Sequence, residues 1–329
     1  MEQRRVVLLL PGQGNQRERM AAGLHGVSPE FTAAMSDFFQ ALGAEGERLR
    51  EQWSRPAPNP EMDDGATAQP LLFAVGYALG RAVRADVLLG HSIGELAAAC
   101  LAEVFAPEDF AALMAARARA MAGSGGGGML AVAAAPDDLP GDLVGVTLAA
   151  HNGPRQTVLA GQDTLLDAAA DRLRANGFTV RRLRSGHAFH SPVMSAAAQR
   201  LGRELGALRL SPPRVAVMST RTAAPVRPVE AVDPSFWFDQ LTLPVRFWPA
   251  VKSLLDTGGT EPGLLLLDAS PDRGLGAAVR RHPAVLRGTS QVLPLLAPAR
   301  DAGTPADAEA FAGALRVLQA EQAGSSPSL

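Results

Sequence analysis

Two short apolar runs, RVVLLL at residues 5–10 and ADVLLG at 85–90, each end in a glycine-rich turn, PGQG in the first case and GHSIG in the second. A run of this length without polar alternation reads as a buried strand, and glycine turns are where such a strand hands over to the next element. Helical patterns lie around 29–53, near 66–83 and, as ELAAACLAEV, directly after the second turn. The proline-rich RPAPNP at 55–60 reads as a connector between them. Strands alternating with helices in this way predict a parallel α/β sheet.

A further helix is expected to begin near Pro107, because a fixed φ suits a first helical position. GSGGGG follows at 123–128. Consecutive glycines invite a phosphate-loop reading, but no strand feeds them, no Lys-Ser/Thr pair follows and the dinucleotide spacing is absent, so a domain hinge is the better reading. After it come strand MLAVAA, a short helix near 136–140, strands GVTLAA and TVLAG, a helix over 163–176 and strand FTVRRL. That β-α-β-β-α-β order is the ferredoxin-like arrangement. The expected organisation is a large α/β-hydrolase-like domain over 1–125 and 187–320, an inserted ferredoxin-like subdomain over 126–186, and a disordered tail over 321–329.

The chain of 329 residues, 47% hydrophobic and 19% charged, has enough apolar material for a core without a staple. No apolar run reaches membrane-spanning length, and the run before Pro11 is too short for a signal-peptide core, so the expectation is a cytoplasmic protein. The single cysteine, Cys100, makes no internal disulfide and reads as a small buried hydrophobe. A net charge of −2 does not suggest nucleic acid. Basic residues do cluster at 181–184 and 279–287, as solvated faces or as a surface for an acidic partner.

Gly90-His91-Ser92-Ile93-Gly94 fits the G-x-S-x-G nucleophile elbow, in which a sharp strand-to-helix turn projects the serine and leaves the next backbone N–H free to face a developing oxyanion. With a strand before and a helix after, a nucleophilic Ser92 outranks a structural turn. Serine needs a base. Of six histidines, His187 and His190 in GHAFHSPV stand where the chain leaves the small domain, and a domain junction favours a cleft, so one of this pair is the candidate base by position. His91, beside the serine, is expected to pack or hydrogen-bond in support. No Asp or Glu is singled out after Ser92 as a third member, which suits a dyad with the histidine held by a backbone carbonyl.

PGQGNQ, AQPLLFAVGYAL, GHSIGE, an arginine in the next helix, HNGPRQTVLAG, HAFHSP and WFDQLTLPVRF occur in the order and spacing of malonyl-CoA:acyl carrier protein transacylases, and the chain most resembles the acyltransferases of polyketide synthases. The resemblance covers nearly the whole chain. It implies that Ser92 carries an acyl ester, that His190 is general base and then acid, and that the Gln240 backbone carbonyl orients the imidazole. It likewise gives Gln13 and Ile93 as backbone oxyanion donors and Arg117 as the residue that holds the free carboxylate of malonate. His187-Ala188-Phe189-His190 matches the pattern that accompanies malonyl selection, with Phe189 filling the space an α-methyl group needs; a pocket of that kind discriminates by about 1–3 kcal/mol. Asn152 and Gln69 match positions near the acyl site.

The function so implied moves a malonyl group from malonyl-CoA, through a serine ester, to the phosphopantetheine thiol of an acyl carrier protein in polyketide or fatty-acid biosynthesis. It would be a discrete enzyme acting in trans, with no metal and no cofactor beyond the CoA and phosphopantetheine of its substrates. Arg181, Arg182, Arg280 and Arg281 are the expected contacts for the acidic carrier, on charge complementarity. Two departures stand out. Asn15 replaces the serine usual in GQGSQ, and LLLLDASPDRG at 264–274 replaces EVGPG; the second is expected to reshape a loop near the carrier entrance. Competing readings are another acyl unit, such as methylmalonyl or a starter unit, an editing acyl-carrier-protein hydrolase, which Arg117 disfavours, and a non-catalytic docking protein, which intact Ser92, His190 and Arg117 disfavour.

Overall fold

The computed structural model describes residues 3–106, 109–123 and 126–323. Six strands form one sheet in the order β10-β9-β1-β2-β7-β8: β1 Arg5–Leu10, β2 Val87–Gly90, β7 Ala216–Ser219, β8 Ala224–Pro225, β9 Leu264–Asp268 and β10 Gln291–Pro294. All pairings are parallel except that of β8, which turns back along β7. The sheet is buried on both faces. Val6, Leu8 and Leu10 of β1 enter one apolar cluster with the helices Pro29–Ala41, Gly65–Ala82 and Ile93–Leu101, while Val7 and Leu9 enter a second with the helix Phe247–Gly258. Period-2 alternation thus sends each residue from Val6 to Leu10 into one core or the other, which is why these five positions are all apolar.

A second sheet, antiparallel, has the order β4-β5-β3-β6 and is built from β3 Gly128–Val132, β4 Val146–Gly153, β5 Gln156–Gly161 and β6 Val180–Arg182. The sequence order β-α-β-β-α-β gives this ferredoxin-like sheet, with the first helix shortened to a turn at Pro136–Asp138 and the second running over Asp163–Ala175. The small sheet is tied to the segment leading into the helix Phe247–Gly258 through Ala149 O and His151 N, which bond Val245 N and Val245 O, each at 2.9 Å. Ala149, Ala150, Val158 and Ala160 share the apolar cluster of Val7 and Leu9.

Some boundaries differ from expectation. Pro107 and residues 124–125 of the glycine run lie outside the described residues, and the helix expected near Pro107 is described from Phe110 to Met121. Residues 321–323 are not a tail: they complete the helix Pro305–Ala323, because Leu318 of that helix is buried and Glu321 pairs with Arg4. Residues 324–329 lie outside the described residues. Cys100 is buried and free. Among the described residues, no helix is long and apolar enough to cross a membrane.

What positions the GHSIG turn is backbone contact with the end of β1. His91 N donates to Leu10 O at 2.9 Å, and a Cβ on Gly94 would lie 2.4 Å from Leu10 O and 2.6 Å from Pro11 O. Neither carbonyl can give way as a flexible side chain would. Gly94→Ala is therefore expected to destabilise the fold by about 1–3 kcal/mol, read as a lowered urea midpoint; an unchanged midpoint would show that the helix start is not pinned to β1.

Candidate active site

β2 ends at Gly90, and Ser92 follows with φ 53 and ψ −118, outside the left-handed basin that non-glycine residues tolerate. Conformations of that kind cost about 1–3 kcal/mol and persist where the surroundings impose them. Here the imposing element is the close contact at Gly94. The strain lifts the serine side chain off the helix axis, and Ile93, as first residue of the helix Ile93–Leu101, has a backbone N–H with no partner inside the helix.

His190 approaches from the other side of the cleft. It too has a positive φ, 61, and its backbone N donates to Leu241 O at 2.9 Å. Its Nδ1 donates to two backbone carbonyls, Gln240 O at 2.7 Å and Leu243 O at 3.2 Å. With the proton on Nδ1, Nε2 is the acceptor, and the Ser92 hydroxyl donates to it at 2.9 Å. Both side chains are buried, and burial, reinforced by His91 and Arg117, pushes the His190 imidazole down to about 3. His187 stands apart. It is half-buried, and its ring packs on Phe189 at 5.3 Å between centroids.

Two adjoining cavities meet here. The first, of about 460 Å³, is lined by Ser92, His190, His91, Asn152, Gln13 and Arg181. The second, of about 550 Å³, is lined by Arg117, His187, Phe189, Met114, Met121 and Pro70. Gln13, Gln69 and Phe189 belong to both walls. Arg117, 3% exposed, donates from Nε to Gln69 Oε1 at 2.7 Å, and the Gln69 amide donates in turn to Gln13 Oε1 at 2.7 Å. One buried guanidinium nitrogen of Arg117 has no hydrogen-bond partner among the described residues. Burial without a counter-charge lowers Arg117 to about 10.

His91 Nε2 donates to Asn152 Oδ1 at 2.8 Å, so the residue beside the serine is tied to β4 of the small sheet. Desolvation lowers its imidazole as well. Ser92, His190, Gln13, Arg117, His91, Asn152, His187 and Phe189 thus line one pair of cavities, while Ile93 follows Ser92 at the helix start and Gln240 meets the ring of His190 through its carbonyl. The four arginines offered for a partner surface do not stay together. Arg181 lines the cavity of Ser92 and His190, but Arg182 points to the opposite side of β6 and pairs with Asp163 and Asp167, as alternation along a strand requires. Arg280 bonds Val292 O at 3.2 Å, and Arg280 and Arg281, exposed beyond the helix Gly274–Val279, do not line the cavity.

Sequence reasoning missed Glu95 and Thr220. Glu95, in the first turn of the apolar helix, is fully buried; its Oε2 accepts from Thr220 Oγ1 at 2.6 Å and from Gln240 Nε2 at 3.2 Å, which anchors the segment whose carbonyl meets His190. Burial raises its carboxyl above the ordinary range. The signal was present in the last letter of GHSIGE, a lone carboxylate opening a run of apolar residues, but its partners lie 125 and 145 residues away. Arg17, which lines the same cavity, was missed too, and Arg184 lay in the basic cluster at 181–184 without being among the four arginines named as carrier contacts.

Residues 7–293 match the model of the acyl transferase domain family. The chain is 35% identical over 289 residues to a phenolphthiocerol/phthiocerol polyketide synthase polypeptide of Mycobacterium tuberculosis, a match covering 85% of this chain and 19% of that synthase. It therefore spans about a fifth of the length of that curated relative. Among solved structures, the acyltransferase domain from the second module of the salinomycin polyketide synthase superposes with a TM-score of 0.82 at 35% identity, over 95% of this chain and 73% of that one. The acyltransferase domain of SpnD in complex with 2-(pent-4-yn-1-yl)malonyl superposes with 0.84 at 30% identity, over 97% and 77%. A malonyl-CoA:acyl carrier protein transacylase from Xanthomonas oryzae pv. oryzae superposes with 0.81 at 26% identity, over 96% and 99%. A matched family model over most of the chain, on a fold that places a serine, a histidine and a buried arginine around one cleft, makes this chain a member of the acyl transferase domain family, of the polyketide synthase and malonyl-CoA:acyl carrier protein transacylase type.

Proposed function

We propose that the chain transfers a malonyl-type acyl group from coenzyme A to the phosphopantetheine thiol of an acyl carrier protein by a two-step serine ester mechanism. In the first step Ser92 Oγ attacks the thioester carbonyl while its proton passes to His190 Nε2, and the tetrahedral oxyanion faces the backbone N–H groups of Gln13 and Ile93, each such donor contributing roughly 3–4 kcal/mol. The C–S bond breaks and the leaving thiolate takes the proton from His190. In the second step the carrier thiol gives its proton to His190 Nε2, attacks the Ser92 ester, and the serine oxygen recovers the proton as it leaves. The Gln240 carbonyl keeps Nδ1 protonated throughout, so the imidazolium that forms is held by carbonyl dipoles in place of an acid.

The observation that carries the acyl class is the unpartnered, buried nitrogen of Arg117. A guanidinium fixed at Nε by Gln69 and left open at another nitrogen is preorganised for a carboxylate, which a malonyl unit supplies and an acetyl unit lacks. A malonyl preference is supported by Phe189, which closes the wall between the two cavities. A second reading, a malonyl unit with a larger α-substituent, is favoured by the roughly 550 Å³ of largely apolar space behind that wall; the SpnD acyltransferase domain, similar in fold, was solved with such a unit. Arg181 is the one of the four proposed carrier contacts that reaches the cavity, and it suits the phosphate of an entering phosphopantetheine arm. CoA and the carrier arm are substrates, so this chemistry calls on no resident cofactor, and the cytoplasm is where it is expected to run.

Intact mass after exposure to malonyl-CoA should show a malonyl adduct. Ser92→Ala should abolish it, and His190→Ala should slow its formation by roughly 100-fold or more while His187→Ala does not. A persisting adduct, or equal losses, would reassign the nucleophile or the base. Rapid release of free malonate in place of an adduct would point to hydrolysis.

Arg117→Ala should lose malonyl loading by about 100-fold and retain acetyl loading; equal losses from both donors would make Arg117 structural. Parallel loading with methylmalonyl-CoA decides between the two acyl readings.

His190 titrates far below the ordinary histidine value, so loading should stay flat from about pH 8 to about pH 5.5, with its acid limb lower still. The sign for stability follows from the same shift. Between pH 6.5 and about 3 the unfolded chain binds a proton that the folded ring refuses, so unfolding free energy should fall on acidification, less so in His190→Gln. A loading midpoint near pH 6.5 would mean that the base is a solvated histidine.

A further inference from the structure

The two positions where this chain departs from the pattern it resembles meet in space. Gly12–Asn15 forms a turn closed by Asn15 N donating to Gly12 O at 3.3 Å, with Gly14 at φ 106, the sign a type II turn demands at its third residue. Gln13 is the second residue of that turn. Asn15 Nδ2 donates to Asp272 Oδ1 at 2.8 Å, and Asp272 comes from DASPDRG, in the loop after β9. The same carboxylate accepts from Gly274 N at 2.9 Å and pairs with Arg17 at 3.3 Å.

The post to which Asn15 is tied is itself fixed. Arg273, next to Asp272, bonds Leu296 O through Nε at 3.1 Å and Nη2 at 2.6 Å, which fastens the loop to the chain just beyond β10. Gly274 is shaped to the contact: a Cβ there would lie 2.7 Å from Asn15 Nδ2 and 3.0 Å from Asp272 Oδ1. Gly14, Arg17 and Asp272 line the cavity that holds Ser92 and His190. On its other side the turn is held by Gln69, which bonds the Gln13 side chain.

We infer that Asp272 is a positioning residue for the Gln13 turn, acting through the Asn15 amide to hold the Gln13 backbone N–H where the oxyanion develops. This rests on the proposed role of that N–H. A serine hydroxyl is shorter than an asparagine amide, so the longer side chain at 15 and the carboxylate at 272 form a working pair. An oxyanion donor gains its effect from being fixed before the charge appears, and a turn free to move by about 1 Å forfeits much of it.

The test is a reciprocal exchange. Single-turnover acylation by malonyl-CoA and amide hydrogen exchange at residues 12–16 are measured for wild type, Asn15→Ala, Asp272→Ala, Gly274→Ala and the double variant Asn15→Asp/Asp272→Asn, which rebuilds the hydrogen bond with donor and acceptor reversed. The three single variants should acylate roughly 10- to 100-fold more slowly at saturating donor, with the half-saturating concentration within about threefold, and exchange faster at the turn. The double variant should recover both rate and protection. Single variants within about threefold of wild type, or a double variant as slow as Asp272→Ala, would overturn the assignment. Should a single variant fail to fold, the double variant and Gly274→Ala still decide it. If wild type forms no acyl-enzyme, the functional reading has failed, and the exchange protection of the turn still tests the Asn15–Asp272 contact.

Discussion

Backbone contact between the start of helix Ile93–Leu101 and the end of β1 is the constraint on which the site depends. Gly94 lies so close to the Leu10 and Pro11 carbonyls that no side chain fits, and a Cβ on Gly90 would meet the Gly94 carbonyl carbon at 2.2 Å. This approach forces Ser92 into its strained conformation and places the serine next to the PGQG turn of the neighbouring strand. Ser92 and the PGQG turn are thus neighbours because β1 and β2 are adjacent parallel strands, whose C-terminal ends fall at one edge of the sheet.

The histidine side is assembled differently. His190 is held by carbonyls of a segment that is itself anchored, through Gln240, to a glutamate buried one turn after Ser92. Glu95 therefore links the helix that follows Ser92 to the segment whose carbonyls meet His190. A buried carboxylate is costly unless it is hydrogen-bonded, and Thr220 and Gln240 both donate to its Oε2. The Arg117–Gln69–Gln13 chain ties the other side of the cleft in the same way, and one buried nitrogen of Arg117, like Glu95 Oε1, His91 Nδ1 and Gln240 Oε1, has no hydrogen-bond partner among the described residues.

Local signals were legible wherever the physics is local. The unbroken apolar runs marked β1 and β2, the G-x-S-x-G spacing marked the sharp turn at Ser92, and the β-α-β-β-α-β succession marked the small sheet, because strand burial, turn geometry and hairpin order are written in adjacent residues. The basic clusters were read less well. Arg181 and Arg182 are neighbours in sequence, but alternation along β6 sends one to the cavity and the other to two aspartates of the helix Asp163–Ala175, and charge composition carries no information about that choice.

By itself the sequence determined the parallel α/β framework, the inserted antiparallel sheet and the identity of the serine, since each follows from the spacing of residues within a few positions of one another. Position alone left His187 and His190 open, and the resemblance named His190 with the Gln240 carbonyl. Only the tertiary structure set His190 Nε2 against Ser92, added the Leu243 carbonyl, put Glu95 and Thr220 behind them, and brought Asn15 and Asp272 into contact. Those contacts join residues from 50 to 257 positions apart. Their geometry is fixed by how the two cores pack against the sheet, a property of the whole chain that no short stretch of it encodes.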